Sequence, residues 1–148
     1  MVRVARTARN TPRGPVRPLS DLAQLLPQAD VVVVVTPLTE ETRGLVDAAF
    51  LAQLKDGALL VNVGRGAVVD TKALLVELES GRINAALDVT DPEPLPPGHP
   101  LWHAPNTLIS PHVGGSSSAF PPRARRLVRD QLRRYLNGEP LANVVLTG

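Results

Sequence analysis

The sequence predicts a doubly wound α/β fold built on a parallel sheet. Three observations carry that expectation. Short apolar runs recur at 31–35 (VVVVV), 58–63 (ALLVNV) and 84–89 (NAALDV). Runs this short, and apolar on both faces, read as strands buried on both sides. Helical stretches fall between them. Finally, aromatic residues make up only 3% of the 148 residues, against 43% hydrophobic. Burial therefore comes from Leu, Val and Ala, which suits a sheet covered by helices better than an aromatic-rich sandwich.

Each element follows from local chemistry. Residues 2–6 (VRVAR) alternate apolar and basic, as a short strand does. Residues 10–18 carry three Pro and one Gly and read as a loop. Ser20 is placed to cap a short helix, SDLAQLLPQ, with Leu22, Leu25 and Leu26 on one face. Pro37 ends the valine strand, and Thr39 to Glu41 start a helical turn. Asp47 caps the helix AAFLAQLKD, which stops at Gly57. The strand ALLVNV runs into Gly64-Arg65-Gly66. Asp70 or Thr71 caps a helix that continues through Glu79 and ends at Gly81. The strand NAALDV leads into the proline-rich loop DPEPLPPGHP, where Trp102 just beyond is expected to pack under the loop. TLIS at 107–110 is a last short strand before PHVGGSSS. An Arg-rich amphipathic helix occupies about 122–137 and ends at Gly138.

Charge is unevenly spread. The formal net charge is +2. Residues 1–18 hold five Arg and no acid, and residues 123–134 hold six Arg against Asp130. The middle of the chain is net acidic. Cysteine is absent, which excludes a disulfide scaffold, a thiolate metal site and a cysteine nucleophile. No metal site is expected. No apolar run reaches the ~18 residues that span a bilayer, so no membrane association is expected. The expected location is the cytoplasm; an Arg-rich start also resembles a transit peptide, but the period-two alternation of VRVAR favours a strand. Nucleic-acid binding through the two basic ends lacks both a recognition motif and stacking aromatics.

In an open parallel sheet, ligands bind beyond the carboxyl ends of the strands. That rule selects Thr36 and Pro37, then Gly64-Arg65-Gly66, then Asp88 through Glu93, then His112. A guanidinium grips a carboxylate through two parallel hydrogen bonds. A histidine passes a proton near neutral pH, and a carboxylate beside it fixes its tautomer. Taken singly, Arg65 also reads as a surface arginine, Glu93 as a solvated loop charge and His112 as a loop cap. His99 and His103 have no comparable flanks and are assigned to the surface.

Four stretches, ADVVVVVTPLTEETRGLVD, GALLVNVGRGAVVDTKAL, AALDVTDPEPLPPGHPLW and NTLISPHVGG, run almost without a gap from Ala29 to Gly115. In them the chain resembles the nucleotide-binding domain of the D-isomer-specific 2-hydroxyacid dehydrogenases. Thr90 and Pro92 depart from the family, which has Phe near the first position and no Pro at the second. The resemblance implies a Rossmann-type domain over 1–115, followed by a helix and tail, 116–148, that lead towards a substrate domain. It implies hydride transfer between NAD(P) and C2 of a small 2-hydroxy or 2-keto acid, and a homodimer as the assembly. By resemblance, Arg65 binds the substrate carboxylate, His112 is the acid/base and Glu93 pairs with it. Asp88 contacts the nicotinamide carboxamide. Thr36, Pro37, Val63 and Gly64 line the adenosine and ribose side, and His112 and Gly114 lie near the nicotinamide.

The family's G-x-G-x-x-G, which brings the backbone up to the pyrophosphate at a helix N-terminus, does not occur in the sequence. The expectation is therefore an incomplete domain that begins at the family's second strand, VRVAR, and is inactive alone. The alternative is a remnant or a non-catalytic NAD(P)-binding or interaction module. In the usual strand order, VRVAR and the valines then form one piece and the other three strands a second. VRVAR pairs with ALLVNV, or another chain fills the gap. The second strand is followed by Arg6 and Thr7 with no acid nearby, which suits a 2′-phosphate. NADP is thus expected to be slightly preferred over NAD.

Overall fold

Four parallel strands form the main sheet of the molecule. They are β4 (Val31–Val34), β5 (Leu59–Asn62), β6 (Asn84–Leu87) and β7 (Thr107–Ile109), in the spatial order β4-β5-β6-β7. A computed structural model describes residues 1–144. Helices α2 (Ala48–Ala52) and α3 (Thr71–Glu79) connect β4 to β5 and β5 to β6. Both start where an aspartate says they should. The Asp47 carboxylate accepts from the Phe50 N–H at 2.8 Å, and the Asp70 carboxylate accepts from Lys72 and Ala73, satisfying donors the first turn leaves free.

The register explains the core. Val34, Leu60, Asn62, Ala85 and Leu87 are buried on one face of the sheet. The four apolar ones cluster with Phe50 and Leu51 of α2 and Leu74 and Leu78 of α3. The other face is not covered in the same way. Val31 and Val33 are 51% and 54% exposed, and Leu108 is 69% exposed. The valine strand is thus buried on one side only, contrary to the doubly buried strand that its composition predicts.

The sheet also breaks elsewhere than expected. The valine strand pairs with β5 in register Val31↔Leu59 and belongs with the other three. The short strand β1 (Val4–Ala5) pairs with neither. It joins a separate three-stranded sheet with β2 (Arg9–Thr11) and β3 (Gly14–Pro18), in the order β1-β3-β2. The proline-rich segment read as a loop is therefore a hairpin whose second strand is central. Arg17 donates its N–H to the Arg3 carbonyl, so odd-numbered residues of β3 face β1. Pro15 faces the same way, but β1 reaches only Arg17 and Pro18. Its missing N–H has no ladder partner to lose.

Other elements are shorter than expected. Residues 19–28 form two 3₁₀ turns around α1 (Leu22–Leu25), and no side chain caps these turns, so Ser20 is not an N-cap. Residues 40–44 make turns and no helix. The Trp102 indole donates to the Pro96 carbonyl at 2.9 Å, yet the side chain remains half exposed.

The chain divides into two compact units, Met1–His112 and a second from Val113 onward. In the second, α4 (Phe120–Leu136) starts with Pro121 and Pro122 in its first turn, where a missing N–H costs nothing. The Gln131 side chain accepts from the Ala142 N–H and donates to its carbonyl, tying the following segment back onto α4. Among the described residues no helix is long and apolar enough to cross a membrane.

One contact at the sheet's edge depends on pH. Lys55, just before β5, pairs with Asp30, just before β4. The hydrogen bond from Lys55, and then its charge, hold the Asp30 carboxyl below its ordinary value. A carboxyl depressed in the folded state stabilises the protein above its unfolded pKa and loses that contribution as pH falls through the folded value. Both groups are well exposed, so the contribution is small. Comparing melting temperatures of the parent chain and Lys55→Met between about pH 6 and pH 3 should show a small gap that closes on acidification.

Candidate active site

The carboxyl ends of β5, β6 and β7 bring the candidate residues to one edge of the first unit. Beyond β5 the chain turns sharply. Asn62, the one polar residue in ALLVNV, is 1% exposed and organises that turn. Its carbonyl oxygen accepts from the Gly64 N–H at 3.1 Å, and its amide donates to the Arg65 carbonyl at 3.0 Å. A buried amide so engaged meets the demand that buried polar groups be paired. The Arg65 side chain is exposed, and its guanidinium donates to the Gly64 carbonyl at 2.7 Å. Among the described residues it makes no hydrogen bond to Glu93 or His112.

Glycine is required on both sides of Arg65 because backbone crowds it. A Cβ at Gly64 would lie 2.8 Å from the Thr36 carbonyl oxygen, joining the end of β5 to the end of β4. A Cβ at Gly66 would lie 1.8 Å from the Thr90 carbonyl oxygen and 2.7 Å from the Asp91 nitrogen. The Arg65 turn thus rests directly against the loop that carries Glu93.

Glu93 and His112 are brought together. His112 Nδ1 lies 2.6 Å from Glu93 Oε1. An ionised carboxylate only accepts, so this contact assigns the Nδ1 proton to the histidine and leaves Nε2 free for proton transfer. The His112 backbone is left-handed, with φ 54°, and its N–H donates to the Ser110 carbonyl. Histidine tolerates this region better than β-branched residues do.

Asp88, buried at the end of β6, accepts a hydrogen bond of 2.6 Å from the Ser110 hydroxyl at the end of β7. Ser110 had no distinguishing signal in the sequence. Nor had Asn62, beyond being polar in an apolar run.

Thr36, Pro37, Val63 and Gly64 line a cleft of about 410 Å³ between residues 35–38 and 63–65. The Thr36 hydroxyl is buried without a hydrogen-bond partner there, an orphan that awaits a ligand or water. Arg6 and Thr7 follow β1 in an exposed bend, where Arg6 lies 3.2 Å from Glu41. Gly114 belongs to the second unit.

Residues 2–114 match the family model of the D-isomer specific 2-hydroxyacid dehydrogenase NAD binding domain. Glyoxylate/hydroxypyruvate reductase B of Citrobacter koseri is 43% identical over 126 residues, covering 84% of this chain and 39% of the relative. The chloroplastic/mitochondrial formate dehydrogenase of Arabidopsis thaliana is 38% identical over 131 residues, covering 86% of this chain and 34% of the relative. The chain therefore spans little more than a third of these curated relatives. A solved D-isomer specific 2-hydroxyacid dehydrogenase from Xanthobacter autotrophicus Py2, in complex with NADPH and MES, superposes with TM-score 0.83 at 43% identity, covering 97% of this chain and 59% of that one.

Proposed function

Because this chain belongs to the D-isomer specific 2-hydroxyacid dehydrogenase family, we propose that it binds a nicotinamide dinucleotide and serves hydride transfer at C2 of a small 2-hydroxy or 2-keto acid. The observation that carries this reading is the His112–Glu93 contact of 2.6 Å, at the sheet edge where Arg65 also lies. The residues present fit the cofactor in part. The orphaned Thr36 hydroxyl and the close approach of Gly64 to Thr36 form a cleft that suits the ribose and adenosine side. Asp88, oriented by Ser110, suits the carboxamide of the nicotinamide. When bound, the cofactor supplies or accepts the hydride.

The chain's own residues do the rest. Arg65 leaves its bond to Gly64 and grips the substrate carboxylate in a bidentate pair, polarising the adjacent carbonyl. In reduction, His112 gives the Nε2 proton to the C2 oxygen as hydride arrives at C2, so the carbonyl becomes a hydroxyl. His112, which enters this step as the imidazolium, is left neutral with its Nδ1 proton hydrogen-bonded to Glu93. Small 2-keto acids such as glyoxylate and hydroxypyruvate, named for the Citrobacter koseri relative, are the first substrates to assay. Arg6 and Thr7 favour the 2′-phosphate of NADP. The Arg6–Glu41 pair is exposed on both sides and therefore weak, so a phosphate displaces Glu41 easily.

A second reading is a dinucleotide-binding module without turnover. It is favoured by the Arg65 guanidinium, which is held on the Gly64 carbonyl and makes no hydrogen bond to Glu93 or His112 among the described residues. One experiment tests the first and separates the two. Thermal unfolding is followed with no cofactor, with NADH and with NADPH. A ligand at about 100 times its dissociation constant adds about 2.7 kcal/mol, which shifts the midpoint on the order of 10 °C. The expected result is a cooperative melt raised more by NADPH than by NADH. No shift with either overturns both readings. A shift without reduction of glyoxylate or hydroxypyruvate selects the second.

A further inference from the structure

We propose that Thr71 and Thr90 are positioning residues, whose hydroxyls hold the loop that presents Glu93 to His112. The inference rests on the functional reading of that pair given above. Thr90 is buried, and its Oγ1 donates to the Pro92 carbonyl at 2.9 Å, closing a tight turn immediately before Glu93. Thr71 is the first residue of α3, and its Oγ1 donates to the Asp91 carbonyl at 2.8 Å. Asp70 caps that helix through two backbone N–H groups, so Thr71 reaches the loop from a fixed support. Two consecutive carbonyls before Glu93 are thus held by side-chain hydroxyls, one from within the loop and one from a helix.

Magnitudes decide which contact holds which. The Glu93 and His112 side chains are 38% and 46% exposed. An ion pair that open to water contributes little and does not order a loop by itself. The Thr90 hydroxyl is buried, so losing its bond leaves a shielded acceptor unpaired, and the Thr71 bond joins the loop to a capped helix. The loop is therefore set by Thr71, Thr90 and the contact with Gly66, and the Glu93–His112 pair follows from it.

The test reads the histidine's tautomer, which a purely stabilising role leaves unchanged. The cofactor-free chain is labelled with ¹⁵N at histidine, and imidazole nitrogen shifts are recorded at about pH 9, where an ordinary imidazole is neutral. His112→Gln assigns the His112 signal among the three histidines. In the parent chain His112 is expected as the Nδ1–H form, and Glu93→Ala is expected to lose it. Thr90→Val and Thr71→Val are each expected to move His112 most of the way towards Nε2–H. Thr90→Ser and Thr71→Ser are expected to keep the parent signal. If Thr90→Val does not fold, Thr71→Val, altered at the start of a helix, carries the test. Valine variants that keep the parent tautomer overturn the proposal, as does an unchanged signal in Glu93→Ala. Failure of cofactor to shift the melt overturns the functional reading instead and leaves this measurement intact.

Discussion

Gly66→Ala is expected to lower stability by about 3 kcal/mol and the melting midpoint by about 10 °C or more. The cause is space. The added methyl would sit 1.8 Å from the Thr90 carbonyl oxygen and 2.1 Å from its carbon, and both neighbours are backbone. No rotamer change relieves such a clash, so either the turn after β5 or the loop after β6 must move. Gly44→Ala is the informative comparison. Gly44 has φ 63° but nothing within 4 Å of a Cβ there, so its substitution carries only the left-handed penalty of about 1–2 kcal/mol. Gly66→Ala should cost more despite the milder backbone. Because the displaced atoms are those of Thr90 and Asp91, the variant should also disturb the Glu93–His112 pair. Denaturant melts of both variants, read with the His112 tautomer, check both statements. Equal destabilisation at the two glycines would mean that the loop moves aside freely.

What the sequence made legible was local or periodic. Asp47 and Asp70 announce their helices because an aspartate bonds donors only two or three residues away. The strands β4 to β7 are legible because short apolar runs between helical stretches have few other readings. The hairpin of β2 and β3 was hidden by its prolines. Pro15 is tolerated only because β1 stops short of it, which is a fact about a neighbouring strand. The burial of the valines was misread for the same kind of reason. Val31 and Val34 are alike in sequence, and only the helices on one face make Val34 the buried one. At the site, Arg65, Glu93 and His112 were found because strand ends can be located and because the flanks resemble a family. The distance between Glu93 and His112, 19 positions apart, is set by a loop whose anchors are two threonines. Threonine is common in any soluble chain, and nothing in spacing distinguishes Thr71 or Thr90. Ser110 and Asn62 were invisible likewise, since their role appears only when strand ends are brought side by side.

Arg82→Met is expected to cost about 3 kcal/mol, the second large effect on stability, and far from any candidate site residue. Arg82 lies between α3 and β6, and its side chain joins α3 to α2 and to the segment that follows α2. Nε donates to Glu77 Oε2 at 2.6 Å, and the two terminal nitrogens donate to the Leu54 and Leu51 carbonyls at 2.5 and 2.6 Å. The Leu51 carbonyl, in α2, also accepts from the Leu54 N–H, and the Leu54 carbonyl lies in the segment just beyond the helix, past the last intrahelical donor. The side chain is only 24% exposed and that of Glu77 18%. Removing the guanidinium therefore strands a largely buried carboxylate and the Leu54 carbonyl together, which costs more than the loss of an exposed ion pair. The Glu77 hydrogen bond raises the Arg82 pKa above its already high value. A group raised in the folded state loses its contribution only as pH climbs through the folded pKa, so this clamp stays intact across the whole working range. Arg82→Lys is the discriminating control. One ammonium on a flexible stem cannot span a carboxylate and two carbonyls in the fixed fork that a guanidinium provides, so lysine should recover less than half of the loss. Full recovery by lysine would mean that charge alone, and not the fork, holds α2 to α3.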